Sequence, residues 1–267
     1  MSLFSALLGA TVFRSAARRA SDWVDLQWSL IVELLGRVAP QARGRLLDVG
    51  CGHKPYADIF LPYVDEYLGI EREDSFAGTA ASSIDGRGPD LLFDGTRLPF
   101  DDATFDTVLS VQVLEHTPRP AALVAEMARV LKPDGLLILS APFQFRLHEQ
   151  PHDYFRYSPH GLRTLCDDAG LEVVEVHAQG SLWSVLAHKV NSYLALRVAR
   201  ASGLAQAMGK LGHENVATTQ PRLWTLPLVG PLMVGNAAAA RVLDRVLPEP
   251  DETLGFLTIA RPRRSGP

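Results

Sequence analysis

The chain has 267 residues, 47% hydrophobic and 21% charged, which suits a globular α/β protein and excludes a low-complexity or fibrous chain. A net charge of −4 gives no reason to expect nucleic acid as a partner, although residues 181–267 hold ten Lys and Arg against five Asp and Glu. Neither of the two cysteines, Cys51 and Cys166, lies in a CxxC, so no disulfide framework or zinc site is expected, and no metal ligands are assigned.

The apolar run at 3–13 has its arginines after it, the reverse of a secretory signal, and reads as an amphipathic helix. Residues 22–38 place Trp23, Leu26, Leu30, Ile31, Leu34 and Leu35 at helical spacing, with Ser21 or Asp22 as N-cap and Pro40 and Gly44 closing the helix. Strands follow at 45–49, 66–70, 90–93 and 105–111. A helix spans 119–131 and Lys132-Pro133-Asp134-Gly135 is a turn. A fifth strand covers 136–140. A helix capped by Ser158, with Pro159 at its first position, covers 158–169, and a sixth strand covers 171–177. The last strand is 253–260, before a disordered tail from Arg261. Strands alternating with helices predict a mostly parallel sheet with helices on both faces, and ligands bind such sheets beyond the strand carboxyl ends.

At that edge the first strand runs through Asp48 into Gly50-Cys51-Gly52. A dinucleotide fingerprint needs a third glycine where Pro55 stands, and a phosphate-binding Gly-Lys-Ser/Thr is missing. Instead three carboxylates surround the turn: Asp48 before it, Glu71 at the end of the second strand and Asp94 at the end of the third. They suit a ligand with hydroxyls, amines and a positive centre. Glu71, about twenty residues after the turn, is placed to accept two ribose hydroxyls.

Leu46-Leu47-Asp48-Val49-Gly50-Cys51-Gly52, Glu71, Asp94-Gly95-x-x-Leu98-Pro99-Phe100, Phe105-Asp106-x-Val108, Leu114-Glu115-His116 and Leu131-Lys132-Pro133-x-Gly135 together resemble the successive motifs of class I S-adenosylmethionine-dependent methyltransferases, type 11 in flavour. The resemblance covers 45–177. It implies an α/β, Rossmann-like seven-stranded mostly parallel sheet with helices on both faces and a helical insertion before the last strand. It also implies S-adenosylmethionine as cofactor and S-adenosylhomocysteine as product. Asp48, Gly50, Cys51 and Gly52 would line the methionine moiety, Glu71 would hold the ribose, Asp94 and Gly95 the adenine side, and Gln112 would sit beside the cofactor. The loop's usual third glycine falls at Lys54, which either meets the cofactor carboxylate or faces solvent.

The segment 142–158 carries His148, His152, Asp153, Tyr154 and Arg156 on the ligand side of the sheet. A hydroxyl acceptor needs a general base, and histidine is the usual one near neutral pH. His148 or His152 is the candidate base, Asp153 its orienting partner, and Tyr154 or Arg156 an acceptor contact. The competing reading is a structural network anchoring the loop. His116 reads as a capping or packing residue.

The expected organisation is an N-terminal helical region at 1–44, a cofactor-binding core at 45–181, an insertion at 182–252 and a final strand and tail at 253–267. In the insertion, Leu182, Leu186, Val190, Tyr193 and Leu194 form an apolar helical stripe, and 223–240 has no charge but is broken by Pro227, Gly230, Pro231 and Gly235. The insertion reads as a lid over the acceptor pocket or as a membrane-surface segment. The location expected is the cytoplasm, with peripheral membrane contact through 182–252. The expected function is O- or C-methylation of a small-molecule, sugar-linked or lipid-linked acceptor. The alternative is a non-catalytic cofactor-binding scaffold.

Overall fold

The computed structural model describes residues 22–74, 88–202 and 226–263. The expected helix at the N-terminus lies outside them. The chain divides into two units: residues 32–179 with 254–267, and residues up to 31 with 180–253.

The first unit is built on a seven-stranded sheet: β1 (Arg45–Val49), β2 (Glu66–Arg72), β3 (Leu91–Phe93), β4 (Phe105–Val111), β5 (Leu131–Pro142), β6 (Leu171–Ala178) and β7 (Gly255–Pro262), in the order β3-β2-β1-β4-β5-β7-β6. The pairings β3-β2-β1-β4-β5 are parallel, and β7 runs antiparallel between β5 and β6. Order reverses at β1/β4, since β1 neighbours both β2 and β4, and the crevice at this switch point is where such sheets bind ligands.

The central strands carry near-continuous apolar runs because both faces are covered. Leu46, Leu47, Val108, Leu109, Leu137 and Ile138 are fully buried. On one face Leu47, Val108 and Leu137 meet Leu123, Val124, Met127 and Val130 of α3 (Pro120–Val130) and Leu162 and Cys166 of α4 (Pro159–Asp168); α1 (Leu26–Val38) and the one-turn α2 (Ala57–Phe60) precede these helices in the chain. Pro120 and Pro159 sit in first turns, where a missing N–H costs nothing. Ser158 accepts the Gly161 N–H, and Gly170 ends α4 with φ +76°.

Several expectations need correction. The cap of α1 is Asp25, which accepts the Trp28 N–H at 3.2 Å. Residues 132–135 are no separate turn: β5 starts at Leu131 and bulges, so that Phe105 and Thr107 face Leu131 and Leu136. The bulge folds back until a Cβ on Gly135 would lie 2.6 Å from the Leu131 side chain. The tail is ordered further than expected, since β7 includes Arg261 and Pro262, and Arg263 pairs with Asp167 at 2.8 Å.

In the second unit α5 (Leu182–Ser202) packs on α6 (Leu226–Val246). The apolar stripe read from α5 faces outward: Leu186, Val190 and Tyr193 are exposed, while Ser184, His188 and Asn191 are buried. Polar atoms on α6 explain the inversion. Asp244 accepts the Ser184 N–H at 3.2 Å and the Ser181 hydroxyl at 2.5 Å, capping α5. Asn236 donates to Asn191 Oδ1 at 2.9 Å and to the Ala187 carbonyl at 3.1 Å. Arg241 stacks 4.2 Å over Trp23 and donates to the Trp23 carbonyl at 2.7 Å. Helix α6 runs through Pro231 without ending. No described helix is long and apolar enough to cross a membrane.

Candidate active site

The chain leaves β1 by folding over β2: the Gly50 and Cys51 N–H groups donate to the Ile70 carbonyl at 2.9 and 3.1 Å. Gly50 and Gly52 both have positive φ, +77° and +50°. Each does something only glycine permits. A Cβ on Gly50 would lie 2.4 Å from Val113 Cγ2, whereas one on Gly52 would enter open space. The loop is thus packed underneath and clear above.

Glu71 ends β2 under this turn. Its Oε2 accepts the Gly52 N–H and its Oε1 the Arg72 N–H, both at 2.9 Å. Burial raises its pKa, and these two N–H groups oppose the rise. Asp94 closes an Asx turn, accepting the Thr96 N–H at 2.8 Å and hydroxyl at 2.6 Å, and these bonds hold its pKa below the ordinary carboxylate value. Between the two carboxylates lies a cavity of about 500 Å³, lined by Val49, Gly50, Glu71, Asp94, Gly95 and Val113 among others. Phe93, Ala122 and Leu123 add apolar wall. A nucleoside fits this chemistry: flat apolar surfaces for a base, a held carboxylate for vicinal hydroxyls, and glycine backbone where the ligand comes closest.

Four expected cofactor residues do not line that cavity. Asp48 is buried and accepts the Tyr67 hydroxyl at 2.6 Å. Burial pushes its pKa up to about 7, against the Tyr67 hydrogen bond. Cys51 packs the loop against Gly69, where a Cβ would meet its Sγ at 2.6 Å, and burial raises its thiol pKa. Gly52 reaches the site through its N–H. Gln112, at φ +57°, donates to Ser140 Oγ at 3.1 Å. The Lys54 ammonium pairs with Asp90 at 2.5 Å.

The loop after β5 is stitched to the 3-10 turn Leu114–His116 that follows β4. The Tyr154 N–H donates to the Glu115 carbonyl at 2.8 Å, and the Tyr157 hydroxyl to the Leu114 carbonyl at 3.0 Å. Asp153 and Arg156 hold the loop's own shape. Arg156 reaches both Asp153 oxygens at 2.6 and 2.8 Å, and also the Phe145 and Arg146 carbonyls. Burial alone would raise the Asp153 pKa, but the Arg156 guanidinium and the His148 N–H hold it at about 2. The Asp153 side chain is 1% exposed. Asp153→Ala will therefore destabilise the protein by about 2–4 kcal/mol, because Arg156 keeps a half-buried charge without its carboxylate. Urea unfolding checks this; a loss under 1 kcal/mol would mean that the carbonyl contacts hold the loop alone.

The same Asp153 orients His148, accepting its backbone N–H at 2.9 Å and lying 3.3 Å from its Nδ1. His148 is half-buried, and burial with the neighbouring His116 lowers its pKa, so its ring is neutral at pH 7. His152 is exposed and its Nδ1 lies 3.1 Å from the Tyr154 hydroxyl. Of the two candidate bases, His148 has the orienting partner.

Two residues that the sequence reading set aside join it. His116 packs edge-on against His148, ring centroids 4.6 Å apart. Glu115 is fully buried beside them, and burial raises its pKa to about 8. Glu115 stood out in the sequence only as part of a motif, because nothing in a linear pattern marks a glutamate as fully buried.

Residues 47–139 match the family described as a methyltransferase domain. Residues 47–139 thus carry a methyltransferase domain. The cavity chemistry fits the adenosyl group of S-adenosylmethionine, the cofactor that the sequence resemblance implies. An uncharacterized methyltransferase of Mycobacterium tuberculosis is 40% identical over 102 residues, which are 38% of this chain and 40% of that protein. One of Mycobacterium leprae is 41% identical over 124 residues, 45% of each chain. The chain thus spans less than half the length of the curated relatives it matches. Among solved structures, the [4+2]-cyclase SpnF aligns with TM-score 0.51 at 20% identity, covering 88% of this chain and 82% of its own. A SAM-dependent methyltransferase from Archaeoglobus fulgidus aligns with TM-score 0.50 at 16% identity, covering 87% and 93%. At such identities these two show the fold alone.

Proposed function

We propose that this protein transfers the methyl group of S-adenosylmethionine to an oxygen of a small-molecule, sugar-linked or lipid-linked acceptor. The observation that carries this is Glu71, held by two N–H groups at the mouth of an adenosine-sized cavity beside an open glycine. When bound, S-adenosylmethionine supplies a methyl group already activated on a sulfonium. The protein's work is then to hold the acceptor in line with it, an orientation effect worth up to roughly 7–11 kcal/mol. The methyl would pass to an acceptor oxygen, whose hydroxyl would give up its proton. Glu115, His116 and the Asp153-held His148 are the polar groups beside the cavity that would handle that hydroxyl.

Calorimetric titration with S-adenosylmethionine and S-adenosylhomocysteine tests the reading. Wild type should bind both, and Glu71→Ala should bind about 30- to 100-fold more weakly, the effect of losing hydrogen bonds to a charged group, about 2–3 kcal/mol. Failure of folded wild type to bind either ligand would sink it. Binding without turnover on any acceptor would favour the scaffold.

A lipid-linked acceptor is supported by the outward face of α5 and α6, where exposed Leu186, Val190, Leu232, Val242 and Val246 share the surface with exposed Lys189 and Arg245. Apolar side chains flanked by cations suit an anionic lipid surface. The double variant Val190→Asp, Val242→Asp, both at exposed positions, should cut sedimentation with anionic vesicles at least tenfold and leave S-adenosylhomocysteine affinity unchanged. Equal sedimentation of variant and wild type would remove the lipid from the proposal.

A further inference from the structure

Glu115 and His116 come from the turn after β4, and His148 from the loop after β5. One ligand-type atom from each lies within 4.8 Å of those of the other two. Glu115 is fully buried, and among the described residues neither of its carboxylate oxygens has a hydrogen-bond partner. A buried polar group left this way is costly and calls for a partner.

The histidines are set up to supply one. His116 Nδ1 lies 2.7 Å from the His152 carbonyl. A carbonyl only accepts, so Nδ1 carries the proton and Nε2 the lone pair. That Nε2 lies 3.8 Å from Glu115 Oε1 and 3.7 Å from Glu149 Oε2. Such gaps are too long for hydrogen bonds. They approach the spacing of about 3.4 Å between ligand atoms that share a tetrahedral cation at about 2.1 Å. His148 repeats the pattern, with Nδ1 3.3 Å from both the Arg146 carbonyl and Asp153 Oδ2. Imidazoles held at one nitrogen by a carbonyl or carboxylate are how proteins orient metal ligands through the other.

We propose that Glu115, His116 and His148 bind one divalent transition-metal ion, with the Glu149 carboxylate at the edge of the site. Two imidazoles with a carboxylate suit Zn²⁺, Mn²⁺, Fe²⁺ or Co²⁺ better than Ca²⁺ or Mg²⁺, which prefer all-oxygen sets. The site sits at the cofactor cavity: Val113 and Thr117, on either side of Glu115 and His116 in the chain, line it, and the Glu149 charge acts on Glu71. Three protein ligands leave coordination positions for water or for an acceptor oxygen. That last role rests on the methyltransferase reading; metal binding does not.

The test is a Co²⁺ titration of the full chain, stripped with a chelator and followed by visible absorption, with Zn²⁺ competition. Wild type should take up one equivalent that Zn²⁺ displaces. His116→Ala, His148→Ala and the isosteric Glu115→Gln should each bind at least tenfold more weakly. S-adenosylhomocysteine binding is measured in the same samples. No Co²⁺ uptake by wild type that binds S-adenosylhomocysteine overturns the metal site alone. Uptake equal to wild type in both histidine variants overturns it too. Metal uptake lost in the variants, by a protein that does not bind S-adenosylhomocysteine, keeps the site and overturns the methyltransferase reading.

Discussion

Gly50→Ala should destabilise the protein by about 2–5 kcal/mol and abolish measurable S-adenosylhomocysteine binding. Two costs add. The residue sits at φ +77°, where a side chain costs roughly 1–2 kcal/mol. Its Cβ would also lie 2.4 Å from Val113 Cγ2, so the loop or β4's continuation must shift, a further overpacking cost of about 1–3 kcal/mol. Val113 lines the cavity, so the shift is felt by the ligand. Adding Val113→Ala separates the terms: the double variant should recover the clash but keep the backbone penalty. Gly52→Ala is the contrast. Its Cβ meets nothing within 4 Å, so it should cost only the backbone strain of its φ +50°, yet it fills the space left for the ligand and should weaken S-adenosylhomocysteine binding. Chemical denaturation and calorimetry on all three variants check the pattern. Equal behaviour of Gly50→Ala and Gly52→Ala in both measurements would contradict the division of labour between the two glycines.

The strands were readable because a sheet covered on both faces writes itself as apolar runs between glycine turns, as at Leu46–Val49 and Val108–Val111. The carboxyl-edge acids Glu71 and Asp94 were readable for the same reason: their position follows from where a run ends. What stayed hidden depends on long-range burial. Helix α5 has apolar residues at helical spacing, and that spacing alone points them inward. Only the hydrogen-bonding surface of α6, with Asn236 and Asp244, decides that Ser184 and Asn191 are buried instead. Which of the two rings, His148 or His152, Asp153 holds was equally closed to a linear reading. Glu115 was hidden most completely. A glutamate one turn past a strand is ordinarily at the surface, and here the loop from Pro142 to Ser158 folds over it.

Asp48→Asn should stabilise the protein at pH 8 and the gain should shrink as pH falls. Asp48 is buried beneath the glycine loop with its pKa raised from 3.8 to about 7, burial outweighing the Tyr67 hydrogen bond. In the unfolded chain it ionises near the ordinary carboxylate value. Between those two pKa values the folded state binds the extra proton, so wild-type stability falls as pH rises through this window, and the decline from this group ends above about pH 7. The total is on the order of 2–4 kcal/mol. Asparagine keeps an acceptor for the Tyr67 hydroxyl and never ionises, so the gap between variant and wild type should widen from pH 5 to pH 8 in urea unfolding. All other titrating groups are common to both proteins and cancel in the difference. A pH-independent gap would mean that Asp48 is ionised throughout. A buried acid that weakens the fold at neutral pH is retained where its charge is used, and a sulfonium or ammonium bound over the adjacent turn is a charge that would use it. Saturating S-adenosylmethionine should therefore stabilise wild type more than Asp48→Asn at pH 8, and the size of that difference measures how much of the cofactor's charge the aspartate feels.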